Sequence, residues 1–372
     1  MLTSLNKCLK LPNLVNTCYV NASLQLLLSL PSITDAVIQH LAQNTDPFIL
    51  AFLRLFEETK KDIKGHKEEM EKKVTPLVDI ARTYFKGHTQ QDCFQALEVL
   101  FLPPLLNAFA EKRMLENVGL GGTVYVSRTA TCCDTSSTEV ESFNILTVPI
   151  PDDVLTIHPI QQCLVACMSY ESSDSDFKCP ECYSTGSPTF CRKFCVPPKV
   201  LIFRLMREIF DMESDTSRKN KCKVSVTTSL DMSMHFKLQA IAAEVPCLKY
   251  GLRCVVFHLG DDTLKSGHYF VAVKVVQNAV DLWYVLDDYS DKKLVDINTY
   301  LSSMMKQVYI LVYEREDSTE QECDRGSGKE DVMSTAAARA AAPAAGAPAK
   351  KAAQILVCNP IPIPIRSSNP HP

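Results

Sequence analysis

The chain reads as an α+β protein, and three stretches of distinct texture along its 372 residues predict that class. Up to about residue 115 the apolar residues lie in long runs of helical length. From Thr123 onward they gather into short β-branched runs between polar turns. From residue 316 to 372 they give way to Ala, Pro, Gly and Lys. Helices first and strands afterwards is the order of a fold in which the two are segregated. No internal repeat is evident.

The first helix begins at Cys18, runs through the apolar stretch Tyr19 to Leu28 and is stopped by Pro31, with Asn16 or Thr17 as its N-cap. Phe48 to Phe56 is apolar on nearly every face, as a buried helix is. Lys60 to Lys73 mixes both signs of charge and reads as a solvated helix or loop. Thr89-Gln90-Gln91-Asp92 has the form of a capping box, opening an apolar stretch that reaches Phe101. Strands follow at Thr123 to Val126, Phe143 to Ile150 and Val200 to Phe203. A hairpin then pairs the run after Gly267 with Leu282 to Leu286. Ala336 to Ala353 is almost entirely Ala, Pro, Gly and Lys, and proline alternates through Ile361 to Ile365. Such sequence cannot bury enough surface to offset its ordering entropy, so residues 316–372 are expected to be a disordered tail.

Composition narrows the function. A net charge of −4 argues against nucleic acid as the main partner. The leucine run Leu24 to Leu30 is too short to cross a bilayer, and the opening residues carry no charged-then-apolar signal pattern. Sixteen cysteines in 372 residues fall below the density of a disulfide scaffold. A reduced, intracellular protein, cytoplasmic or nuclear, monomeric and without a membrane anchor, is the expectation.

Cys18 is the residue with chemistry to offer. A thiol in the first turn of a helix lies at the positive end of the macrodipole, which favours the thiolate nucleophile. It needs a base. Of eight histidines, His268 opens a β-branched strand after the small-residue turn Ser266-Gly267. The next strand ends in Asp287-Asp288. A hairpin turning at Gln277-Asn278 sets Asp287 directly opposite His268 on one face of the sheet, with Asp288 on the other. A turn one residue longer exchanges the two acids. Asp287 would hold the imidazole as the third member of a catalytic triad does. His258 is the rival base, without a carboxylate placed to orient it.

These segments together resemble the ubiquitin-specific proteases, papain-like cysteine peptidases that remove ubiquitin. Leu11 to Gln25 is similar to the family's cysteine box and Gln90-Gln91-Asp92 to its Gln-Gln-Asp motif. His258-Leu259-Gly260, Ser266-Gly267-His268-Tyr269 and Trp283 to Asp288 resemble its histidine box, and Tyr309 to Glu314 its closing strand. The likeness covers roughly residues 7–315. It implies a papain-like fold with a helical thumb (about 7–115) and β fingers and palm (about 116–315).

It further implies Cys18 as nucleophile, His268 as general base, Asp287 as orienting acid and Asn13 as oxyanion-hole donor. Gln91, Asp92 and Tyr269 become substrate-binding residues, Asp92 receiving the arginine-rich tail of ubiquitin. Catalysis in such a protein needs no cofactor, and ubiquitin or a ubiquitinated protein is the partner. Two departures stand out. Val15 takes the place of a glycine, and a β-branched residue there is expected to displace the oxyanion hole if the position is left-handed. Gln95 replaces a second acid, which weakens a guanidinium site. Both leave open a catalytically weak ubiquitin-binding scaffold, and the motifs also suit a protease for another ubiquitin-like modifier.

Cys179-Pro180-Glu181-Cys182 has the spacing of a zinc half-site. In the family a second pair lies upstream at the tip of the fingers; here Cys133 matches one position and Ala130 stands at the other. A structural zinc on Cys133, Cys179 and Cys182, with Cys132 or Cys191 as fourth ligand, is the expectation that follows.

Overall fold

Cys254 and Val256 face one apolar core while Val255 and Phe257, between and after them, face a second. That alternation places the strand Lys249–Leu259 at the centre of a sheet covered on both sides, and it explains why the run is continuously hydrophobic. The computed structural model describes residues 8–60, 67–130, 133, 136–171, 178–179, 181–185, 189–195, 198–211, 215–235, 248–260 and 263–316. The expected disordered tail after Glu316 and the candidate ligand Cys132 lie outside the described residues.

In the central sheet the strands follow the order Lys293–Val295, Val280–Leu286, His268–Gln277, Lys249–Leu259, Val308–Arg315, Val200–Leu205 and Leu146–Val148. The short strand Ser229–Asp231 pairs with the start of Lys249–Leu259. Every pairing is antiparallel except that of Leu146–Val148 with Val200–Leu205.

One face carries the helices. Cys18–Leu28 is buried along its whole length, as its all-round apolar sequence requires, and packs across the His268–Gln277 strand. Pro31 ends that stretch by opening the next helix, Pro31–His40, where its missing N–H costs nothing. Helices Pro47–Lys60, Lys67–Phe85 and Leu102–Glu111 complete the layer. The helical stretch from Cys93 to Glu111 is long and apolar enough to cross a membrane, but 56 % of its most apolar window is buried within the fold, as in a core helix.

A second, four-stranded sheet projects from residues 122–194, in the order Ser136–Phe143, Gly122–Thr129, Thr189–Phe194, Ser169–Glu171. Its base shares the second core through Val124, Val126 and Phe194.

The histidine hairpin differs from its expected register. Gln277 pairs with Val280 around a turn at Asn278 and Ala279, both at positive φ (52° and 61°), as the tight hairpin turn demands. Every pair is therefore offset by two residues, and ladder pairing ends at Val271 with Leu286. An offset of two preserves the face, because side chains alternate with period two. Asp287 consequently stays on the face of His268, diagonal to it instead of opposite.

Candidate active site

Cys18 is the first residue of its helix and only 1 % exposed. Thr17 occupies the N-cap position but makes no capping bond. Its hydroxyl accepts from the Leu14 N–H (2.8 Å) and lies 3.3 Å from Asn13 Oδ1 as donor. The Thr17 N–H donates to the same Asn13 oxygen at 3.0 Å. Asn13 is thus held by its carbonyl, and its amide N–H groups are left for other acceptors. One donates to Asp288 Oδ2 at 2.8 Å.

Val15 and Asn16 both adopt left-handed backbone, φ 65° and 56°. Val15 is carried in the left-handed conformation at a cost of about 1–2 kcal/mol, with its side chain 67 % exposed. The loop keeps its geometry because both ends are tied: Arg82 Nη2 donates to the Leu14 carbonyl, and Asn16 Nδ2 donates to His88 O at 3.2 Å.

His268 reaches Cys18 from the neighbouring strand. Its Nε2–H donates to Asp287 Oδ1 at 2.6 Å, which leaves Nδ1 to pair with the sulfur. The hydrogen bond with Cys18 is the main reason that the imidazole pKa is pushed up to about 9; burial opposes the rise and the bond to Asp287 adds to it. The ring therefore favours its protonated form beside the sulfur. Gly267 makes this delivery possible. At φ +114° a Cβ on it would lie 2.0 Å from the Leu259 carbonyl oxygen, so a side chain there has no room.

His258, the rival base, is fully buried, and its Nε2–H donates to the Ser266 carbonyl at 2.9 Å. Burial pushes its pKa down to about 3. It is a neutral strut under the loop that carries His268.

Asp288 is the residue that sequence reasoning set on the wrong side. The strand has ended, and at φ 47° its backbone turns left-handed. Its carboxylate swings back toward the cysteine helix, where it accepts from Asn13 and from Asn21 Nδ2 (2.8 Å). Burial raises its pKa, against the pull of those two amides. The backbone carbonyl of Asp288 also accepts from the Leu11 N–H at 3.1 Å. The two remote halves of the site are thereby joined at three points. The Asp-Asp pair itself was the signal in the sequence.

Two expected substrate-binding residues are sealed inside. Asp92 is 3 % exposed and both its oxygens accept from the Tyr309 hydroxyl, at 2.8 and 2.7 Å. It also takes the Phe94 N–H at 2.8 Å, making Asp92 itself, not Thr89, the N-cap of the helix at Cys93. Burial raises its pKa; the bonds from Tyr309 and Phe94 and the charge of Arg204 oppose the rise. Tyr269 is 1 % exposed and donates to Leu264 O at 2.6 Å. Asp92 ties the start of the Cys93 helix to the closing strand, and Tyr269 ties the histidine strand to the loop before it. Gln91 is half-buried, and its amide bonds Thr89 Oγ1 at 2.9 Å.

At the tip of the second sheet the sulfurs of Cys133, Cys179 and Cys182 all lie within 4.8 Å of one another, with Cys133 and Cys179 at 3.4 Å. A zinc–sulfur length of about 2.3 Å puts tetrahedral corners about 3.8 Å apart, so the three sulfurs fit three corners. Ala130 is buried at the fourth motif position, and Cys191, on the Thr189–Phe194 strand, does not belong to the group.

The sequence matches the ubiquitin carboxyl-terminal hydrolase family over residues 9–313, and the chain belongs to that family. It is 24 % identical to ubiquitin carboxyl-terminal hydrolase 26 of Oryza sativa subsp. japonica, over 76 % of this chain and 26 % of the relative. Against ubiquitin carboxyl-terminal hydrolase 5 of Saccharomyces cerevisiae it is 30 % identical, over 49 % of this chain and 23 % of the relative. The chain thus spans about a quarter of the length of these curated relatives.

Among solved structures it resembles the SAGA Ubp8/Sgf11/Sus1/Sgf73 DUB module bound to ubiquitin aldehyde, with TM-score 0.67 and 19 % identity over 85 % of this chain and 71 % of that one. The same module bound to monoubiquitin gives TM-score 0.66 with the same identity and coverage. The fold is therefore the α+β papain-like catalytic fold of ubiquitin-specific proteases. These neighbours are assemblies of several proteins and lend no support to the expectation of a monomer.

Proposed function

We propose that the chain is a thiol-dependent deubiquitinase, cleaving the peptide or isopeptide bond at the C-terminal glycine of ubiquitin. The observation that carries this reading is the hydrogen-bonded row Cys18, His268, Asp287 at the end of a buried helix, with the Asn13 amide held beside it.

In the proposed reaction the Cys18 sulfur attacks the glycine carbonyl carbon. An Asn13 N–H stabilises the oxyanion that forms, and His268 gives its proton to the departing lysine amine. The thioester is then hydrolysed by a water that His268 deprotonates, which releases the ubiquitin carboxylate and restores the thiol. Asp287 keeps the imidazole oriented throughout. None of these steps calls on a cofactor. Zinc on Cys133, Cys179 and Cys182 would be structural, bracing the fingers far along the chain from Cys18.

The alternative of a non-catalytic ubiquitin-binding scaffold rests on Val15 and Gln95, and turnover decides between the two readings. Hydrolysis of a fluorogenic ubiquitin C-terminal amide tests the proposal. Turnover abolished by Cys18→Ala and by His268→Ala supports it; a folded wild-type protein with no turnover, or turnover that survives Cys18→Ala, overturns it. A parallel panel of other ubiquitin-like modifiers decides whether ubiquitin is the preferred substrate.

A further inference from the structure

Arg82 stands in the last turn of the Lys67–Phe85 helix, on no element of the catalytic row. An arginine at a helix C-terminus ordinarily stays in water or meets an acid. Among the described residues no ion pair involves Arg82. Its guanidinium instead crosses to the cysteine loop, where Nη2 donates to the carbonyl of Leu14, and its Nε is buried without a partner. A half-buried guanidinium that gives up hydration for one carbonyl marks that carbonyl as the one being held.

The carbonyl belongs to the peptide immediately before Val15, the strained residue at φ 65°. The local bonds around Thr17 fix Asn13 to the helix start, but they leave the peptide between Leu14 and Val15 without a tie of its own. Beyond Val15, Asn16 is anchored on the His88 carbonyl. Left-handed backbone at a β-branched residue persists only where its surroundings over-determine it. Arg82 supplies the tie on the N-terminal side of Val15, and the loop after the same helix supplies the tie on the C-terminal side.

We propose that Arg82 is a positioning residue for the oxyanion donor: it pins the Leu14 carbonyl so that the strained Val15 turn holds Asn13 beside Cys18. The inference rests on the assignment of Asn13 to the oxyanion hole. It makes the Lys67–Phe85 helix part of the catalytic support, and it ties Arg82 to Val15 as a pair, the clamp being needed because the turn lacks glycine.

The test uses the full chain and three substitutions, read by kcat and KM on the fluorogenic ubiquitin amide and by hydrogen exchange of the Thr17 amide. Arg82→Ala is expected to lower kcat by about 10- to 100-fold, as a misplacement of about 1 Å does, with KM changed less than about threefold. Arg82→Lys, which still donates to the carbonyl, retains most of the rate. Val15→Gly added to Arg82→Ala restores at least about tenfold, because glycine adopts the turn unaided. Thr17 amide exchange accelerates in Arg82→Ala and slows again in the double variant, whatever the turnover. Loss of stability alone would lower kcat without selective rescue by glycine and would leave the Thr17 amide no more exposed than its neighbours. A wild-type kcat in Arg82→Ala, or a deficit that Val15→Gly does not repair, overturns the proposal. If the wild-type chain has no turnover, the functional reading fails, and the exchange data alone decide on the clamp.

Discussion

Replacing Val15 by glycine should barely change the stability of this protein, although substitution of a valine by glycine usually lowers stability. Val15 sits at φ 65°, where a β-branched side chain costs about 1–2 kcal/mol. Removing the side chain returns that energy. Against it stand the extra unfolded-state freedom of glycine, about 0.4–1 kcal/mol, and the lost burial of a side chain already 67 % exposed, roughly 0.5 kcal/mol. The balance lies between about −0.5 and +1 kcal/mol in favour of the variant, or a melting temperature between about 2 °C lower and 3 °C higher. On the proposed placement of Asn13, activity should stay within about threefold of wild type, since an effect on kcat needs a change of geometry at the reacting atoms. Differential scanning fluorimetry and a fluorogenic ubiquitin assay on the same preparation measure both. A melting temperature lowered by more than about 3 °C would show that Val15 is not in the left-handed region. A large rise in turnover would show that the oxyanion loop of the native chain is displaced after all.

Other consequences follow from the same geometry. Asn13→Ala removes an oxyanion donor and should lower kcat about 10²- to 10³-fold with little change in KM; an unchanged kcat excludes Asn13 from the hole. The imidazolium of His268, with a pKa near 9, supplies the proton to the leaving group, so kcat/KM should fall as pH rises through about 9. Because Asp287 contributes to that elevated value, Asp287→Asn should move the alkaline limb toward lower pH, and a pH–rate profile with an unmoved limb contradicts its role. Metal analysis of purified protein should find about one zinc per chain, lost in Cys179→Ser with looser fingers by proteolysis; metal-free wild-type protein that is equally resistant rules the site out.

Much of the site was legible because its parts are local signals. A cysteine at a helix start, a strand opened by Ser-Gly-His and a strand closed by Asp-Asp each show in a few residues. The hairpin register was not legible to the residue, since the turn at Asn278 and Ala279 uses positive φ without glycine. The face of Asp287 survived that offset only because it was even. Asp288 was misplaced because alternation stops where a strand stops, and its left-handed turn carries no mark in the sequence. Asp92 and Tyr269 illustrate a different limit. Nothing near Asp92 in the chain announces that Tyr309, from the closing strand, covers both of its oxygens. The tie between Arg82 and Leu14 is equally silent, for it joins a helix end to a distant loop through one carbonyl.

In the proposed reaction Cys18, among all the cysteines of this chain, attacks the ubiquitin tail. Ubiquitin bearing a C-terminal vinyl sulfone, followed by intact mass and peptide mapping, addresses it directly. A single ubiquitin adduct carried by Cys18 and slowed by Asn13→Ala is expected. An adduct mapped to another cysteine such as Cys93, or a folded protein that takes up no probe, contradicts it.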